Sequence, residues 1–144
     1  MHPLDSFDFA ITVFAAIIAG CAIGIERQLK HKNAGLKTNA LVAFGAAIFV
    51  NISKIYIDMA DVDESRILSQ IIVGVGFLGA GVILHRKGHI SGLATAASIW
   101  CSAALGCLAA LKLYIPLVIS TFLIVLINLI FGYWNKKINQ KNKD

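Results

Sequence analysis

Long apolar stretches separated by short charged segments dominate the chain. They run Phe7–Ile25, Thr38–Tyr56, Ile67–Leu84, Leu93–Leu111 and Leu113–Tyr133. A bilayer core takes roughly 20 mostly apolar residues as a helix, and helices satisfy their own backbone hydrogen bonds in lipid. The pattern therefore predicts an all-α polytopic membrane protein with five transmembrane helices. Only Lys112 separates the fourth and fifth stretches, and Pro116 follows. Proline is accommodated in the first turn of a helix, so a tight hairpin is expected there. One continuous helix would overrun the bilayer. Residues 1–133 are expected to form the transmembrane domain, and residues 134–144 a basic cytoplasmic tail.

The charges set an orientation. Arg27, Lys30, Lys32 and Lys37 lie between the first two stretches, Arg86 and Lys87 between the third and fourth, and Lys136, Lys137, Lys141 and Lys143 in the tail. With five spans these segments share a side, opposite Lys54, Arg66, Lys112 and the acids Asp5, Asp8, Asp58, Asp61, Asp63 and Glu64. The positive-inside rule then places the N-terminus outside and the C-terminus in the cytoplasm, with Tyr133 and Trp134 at the cytoplasmic interface. The segment before the first stretch holds Asp5 and Asp8 and no Lys or Arg, unlike the basic start of a cleavable signal peptide.

Composition changes this picture little. The chain has 144 residues, 58% hydrophobic and 15% charged, with mean hydropathy +0.76. A soluble domain carries about one quarter charged residues, so no separate soluble domain is expected. The net charge of +5 sits beside the apolar ends, where it sets topology rather than binding nucleic acid. Cys21, Cys101 and Cys107 all lie inside apolar stretches, an odd number without CxxC spacing, so neither a disulfide framework nor a zinc site is expected. No cofactor and no catalytic constellation is visible, and the chain is not expected to be an enzyme. His85 and His89 are four apart, but Gly88 between them argues against a helical metal pair. Spaced acids in the segment from Asp58 to Glu64 read as a solvated loop rather than a weak magnesium or calcium site.

Small residues mark helix contacts. Ala16, Gly20 and Gly24 form one stripe of the first span, and Thr95, Ser98, Ser102 and Gly106 one stripe of the fourth. The third carries Gly74 and Gly81 on one face and Gly76 and Gly79 on the other. Small residues let helices approach closely, so a central, buried third helix is expected. The alternative is an unwound segment whose carbonyls line an ion path. These seams suit contact within one chain or in a homo-oligomer. Gly35-Leu36-Lys37-Thr38 and Gly24-Ile25 are echoed at one offset by Gly92-Leu93-Ala94-Thr95 and Gly81-Val82, which predicts a parallel repeat of helical hairpins.

Four polar features carry candidate chemistry. Glu26 is the one carboxylate near or within the membrane; it pairs with Arg27 or with Lys30 at i+4, or it serves as a cation ligand or proton carrier. Asn39 needs a hydrogen-bond partner in lipid, expected across a helix interface. Thr38 and Thr95 sit where hydroxyls cap helix starts. Those starts, with Arg27, Lys37, Arg86 and Lys87, suggest a cytoplasmic patch for anions such as lipid phosphate, with a phosphorylated metabolite or a partner protein's carboxylate as the alternative.

The segments Gly24-Ile25-Glu26-Arg27, Ala34-Gly35-Leu36-Lys37-Thr38-Asn39-Ala40-Leu41-Val42, Gly76-Phe77-Leu78-Gly79-Ala80-Gly81-Val82-Ile83, Gly92-Leu93-x-Thr95-Ala96-Ala97 and Trp100-Cys101-Ser102-Ala103-Ala104 resemble the MgtC/SapB membrane domain. The resemblance runs in consistent order from about Ala10 to about Lys112. It implies a multi-pass protein of the bacterial inner membrane, tied to magnesium homeostasis and, in pathogens, to survival in host cells. It further implies regulation of other membrane machinery, such as the ATP synthase or cation-transport ATPases, by contact between helices; the alternative is a small transporter or channel for Mg²⁺ or another cation. Glu26, Arg27 and Asn39 are the sensitive positions it implies, with Trp100 and Cys101 matching as well. Longer members add a cytoplasmic domain after the fifth span.

Overall fold

The computed structural model describes residues 5–56, 64–86 and 89–141. Its elements, in order, are α1 (Ser6–Leu29), α2 (Leu36–Ser53) with a 3-10 turn at Lys54–Tyr56, α3 (Glu64–Gly81), a two-stranded hairpin of β1 (Leu84–Arg86) and β2 (His89–Ser91), α4 (Leu93–Ala110) and α5 (Tyr114–Lys141). Helices α1, α2, α4 and residues Tyr114–Asn135 of α5 are long and apolar enough to cross a membrane, while the apolar part of α3, Ser65–Gly81, is shorter. The fold is that of a multi-pass helical membrane protein.

Local chemistry sets the helix ends. Asp5 caps α1 by accepting from the Phe7 amide at 3.1 Å. The other end closes with Lys32 N donating to Arg27 O and His31 N to Gln28 O, His31 taking φ 52°. The α4 terminus repeats this closure: Leu113 N donates to Leu108 O, Lys112 N to Ala109 O, and Lys112 takes φ 59°. This double bond pattern normally places glycine at the left-handed position. His31→Gly is accordingly expected to stabilise the fold by about 1 kcal/mol, read as a shift of the unfolding midpoint in detergent. Pro116 falls in the first turn of α5, and Lys112 pairs with Asp8 beside it. That hydrogen bond holds the Lys112 ammonium above the usual lysine range. Its contribution is therefore present below the ordinary lysine value and is lost as pH rises through the raised one.

Three helices form the core. α1, α2 and α4 pack on one another, with Ala16, Ala43, Ala47, Ile23, Ile99 and Leu105 buried between them. In lipid such packing rests on close approach of backbones rather than on water exclusion. A methyl at Gly20 would lie 2.6 Å from the Asn39 carbonyl oxygen, and one at Gly24 would lie 2.5 Å from Leu36 Cα. At Gly106 it would run into the Ala43 carbonyl. The small-residue stripes of the first and fourth spans are thus consumed inside the chain.

The expectation of a central third helix fails. α3 lies at the periphery, touching α4 and, less, α2. Ile71, Val75 and Gly79 form its one buried stripe, whereas Val73 and Phe77 are 66% and 81% exposed. A methyl at Gly74, Gly76 or Gly81 would meet nothing within 4 Å, and one at Gly79 would make ordinary contact with Ala96 at 3.5 Å. Of the four glycines only Gly79 faces a neighbouring helix, α4, while Gly74, Gly76 and Gly81 look into open space. α3 is also helical throughout Glu64–Gly81, so it offers no unwound segment to line an ion path with carbonyls.

Two further differences concern connections. The basic segment between α3 and α4 folds into the β-hairpin, with His85 opposite Ile90 and Arg86 opposite His89; His85 and His89 therefore belong to different strands. α5 continues as helix to Lys141, beyond its membrane-length stretch Tyr114–Asn135. Asp58, Asp61 and Asp63 lie outside the described residues.

Candidate functional site

The last turns of α1 place two adjacent charges in different surroundings. Successive residues of a helix point about 100° apart, so Glu26 and Arg27 diverge. Arg27 is 4% exposed and reaches α4. Its Nη1 donates to Ser98 Oγ at 2.9 Å and its Nη2 to Thr95 Oγ1 at 2.7 Å. Nε and Nη2 also donate to the Asn33 carbonyl at 3.4 and 3.3 Å. All these acceptors are neutral. Among the described residues no carboxylate lies within ion-pair distance of the guanidinium; Glu26 instead meets Lys30 Nζ at 2.7 Å. Lys30 also donates to the Asn128 carbonyl at 3.3 Å, which ties α1 to α5.

A second set of bonds continues from α4 to α2. Ser102 Oγ donates to Asn39 Oδ1 at 2.8 Å, and Asn39 Nδ2 donates to the Ala34 and Gly35 carbonyls at 2.6 and 2.9 Å. Asn39 thus uses both ends of its amide, one toward α4 and one toward the turn that opens its own helix. Gln28 Oε1 takes the first α2 amide, from Leu36, at 3.1 Å. Buried amides and charges are costly in an apolar medium unless bonded in this way. At the far end of the bundle Asn51 Nδ2 donates to Thr12 Oγ1 at 3.0 Å.

Beside Arg27 lies a cavity of about 600 Å³, walled by α1, α4 and α5 and the α1–α2 turn. Glu26, Arg27, Lys30, Lys32, Thr95, Ser98 and Asn128 are among its polar lining; Ile124, Ile127 and Phe131 of α5 form an apolar wall. Asn128 Nδ2 is buried and has no hydrogen-bond partner among the described residues.

The fold therefore brings together Glu26, Arg27, Asn39 and Thr95, but not all the residues that the sequence put forward. Thr38 and Lys37 are exposed and line a different, apolar groove of about 690 Å³ between α2 and α3. Trp100 is half-exposed on the outer face of α4. Lys87 and the Arg86 side chain lie outside the described residues, so the basic patch of Lys37, Arg86 and Lys87 is not assembled among those described. Neither threonine is the residue that opens its helix: α2 and α4 start at Gly35 and Gly92, which carry no side chain to cap with, and the first α2 amide is taken by Gln28 instead. Thr95 instead accepts from Arg27. Asn128 went unread in the sequence, although it is the one amide in the fifth apolar run and so stood out as polar in lipid.

Helices that cross the membrane, joined by a buried polar junction at one end of the bundle, define a polytopic membrane protein with an internal polar site. The chain matches the MgtC family over residues 13–137 and belongs to that family. It is 40% identical over 134 residues to Protein MgtC of Salmonella typhimurium (strain LT2), covering 93% of this chain and 57% of that protein. It is 43% identical over 119 residues to Protein MgtC of Brucella abortus (strain 2308), covering 83% of this chain and 49% of that one. The chain thus spans about half the length of the curated relatives it matches. No solved structure matches it.

Proposed function

We propose that this MgtC-family chain works in the bacterial inner membrane by contact between helices, regulating other membrane machinery rather than conducting ions. The observation that carries this reading is the isolation of α5. Only 6% of its membrane-spanning window is buried within the chain, against 50% for α4. An apolar helix left open on nearly every side is available to a neighbouring transmembrane helix. The neighbour is a second copy of the chain or a larger assembly of the kind the family resemblance implies, such as an ATP synthase or a cation-transport ATPase. Because α1, α2 and α4 use their small residues on one another, such contact falls to α5 and the open face of α3. The N-terminus would lie outside and the junction around Arg27 at the cytoplasmic end.

The cation-transport alternative has less support. Magnesium is usually held by carboxylates and water, and Glu26 is already engaged by Lys30 at 2.7 Å with Arg27 alongside. A photo-crosslinking residue at Phe122, which is 64% exposed, is expected to give a discrete covalent adduct in cells. The same residue at the buried Ala103 is expected to give none. Absence of any adduct along α5, with Mg²⁺ flux into proteoliposomes that disappears in Glu26→Gln, would overturn the proposal in favour of transport.

A further inference from the structure

The cavity walled by α1, α4 and α5 has a surplus of donors and positive charge. Arg27, Lys30 and Lys32 line it against the single carboxylate of Glu26. Arg27 is buried, yet its described partners are hydroxyl and carbonyl oxygens without charge. Asn128 adds an amide whose buried Nδ2 finds no acceptor among the described residues. Gly92, Ala94 and Thr95 bring the start of α4 to the same space, and that 18-residue helix opens on Gly92, which offers no side-chain cap. An unsatisfied buried donor calls for an unseen acceptor. Here three separate elements present donors to one space, and the field of all three favours an anion.

We infer that this cavity binds a phosphate group, held between Arg27, Lys30 and the Asn128 amide, with the apolar wall of Ile124, Ile127 and Phe131 covering the body of the ligand. A tetrahedral oxyanion offers acceptors in several directions at once, which matches donors arriving from α1, α4 and α5. The volume, about 600 Å³, exceeds what a single small ion occupies and leaves space for the group that carries the phosphate. Two sources share this chemistry: the headgroup of a membrane phospholipid, reached past α5, and a soluble phosphate or phosphate ester, reached past the exposed His31–Asn33 turn. The inference is independent of whether the chain acts by helix contact.

The test is thermal unfolding of the full chain, delipidated in a neutral maltoside detergent. One arm titrates inorganic phosphate against chloride at matched ionic strength. The other titrates phosphatidylglycerol in mixed micelles, with diacylglycerol as the phosphate-free control. A ligand that binds the folded state raises the midpoint in a saturable way. Stabilisation by phosphate alone assigns a soluble ligand, and by phosphatidylglycerol alone a lipid headgroup; both together assign the shared chemistry. Asn128→Leu keeps the side chain's size and is expected to weaken binding by about tenfold, the effect of losing one hydrogen bond to a charged group. Asn128→Asp sets a carboxylate against the anion and is expected to abolish it, and it decides the matter if Asn128→Leu does not fold. No stabilisation in either arm, or equal stabilisation of wild type and the folded variants, would overturn the inference.

Discussion

Arg27→Leu is expected to destabilise the fold by about 3 kcal/mol or more, the loss of two buried hydrogen bonds from a charged donor to neutral hydroxyls. The guanidinium joins three parts of the chain: α1, which carries it; α4, through Thr95 and Ser98; and the turn at Asn33. Leucine occupies similar space but leaves two buried hydroxyls and a carbonyl without their donor, and hydrogen bonds to a charged group each contribute about 1.5–3 kcal/mol. Arg27→Lys keeps the charge and loses the fork. One ammonium cannot occupy the two separate nitrogen positions that face Ser98 and Thr95, so an intermediate loss of about 1–2 kcal/mol is expected. The measurement is reversible unfolding of the purified protein in mixed micelles by added denaturing detergent. An Arg27→Leu protein as stable as wild type would remove the junction from the account of the fold. Ser98→Ala and Thr95→Val combined with Arg27→Leu should add little, because their partner is already gone.

That network also marks the boundary of what the sequence could disclose. The helices were legible because apolar runs of membrane length admit few alternatives, and the Glu26–Lys30 pair because its spacing places both on one face of α1. The Arg27–Ser98 bond joins residues 71 positions apart, and no local pattern encodes it. Which helices are central was hidden for a different reason. A soluble helix shows its buried side by contrast with a polar one, but helices in lipid are apolar all round. Gly20 in α1 and Gly74 in α3 therefore look alike in the sequence, although one lies against a backbone and the other beside an open groove. The threonines of the two Gly-Leu-x-Thr segments misled in the same way: each sits near a helix start, yet Thr38 is exposed and Thr95 serves a side chain from another helix. The hairpin of β1 and β2 is three residues per strand, too short for its alternation to stand out from a basic loop.

The difference between the two kinds of glycine gives the second large effect. Gly106→Ala is expected to cost about 1–3 kcal/mol or more, because the added methyl meets the Ala43 carbonyl and the α2–α4 pair must separate to admit it. A backbone carbonyl inside a helix cannot rotate away as the end of a long side chain can. Gly74→Ala is expected to be neutral or to stabilise by up to about 1 kcal/mol, since its methyl enters open space and alanine is the better helix former. Both variants differ from wild type by one methyl in an apolar helix, so the same detergent unfolding compares them directly. Equal and severe losses would mean that the groove between α2 and α3 is filled in the membrane. The open face of α3 would then already be covered by a neighbour, leaving α5 as the face still turned outward. A loss confined to Gly106→Ala places the tight packing within α1, α2 and α4 and leaves α3 and α5 as the faces turned outward.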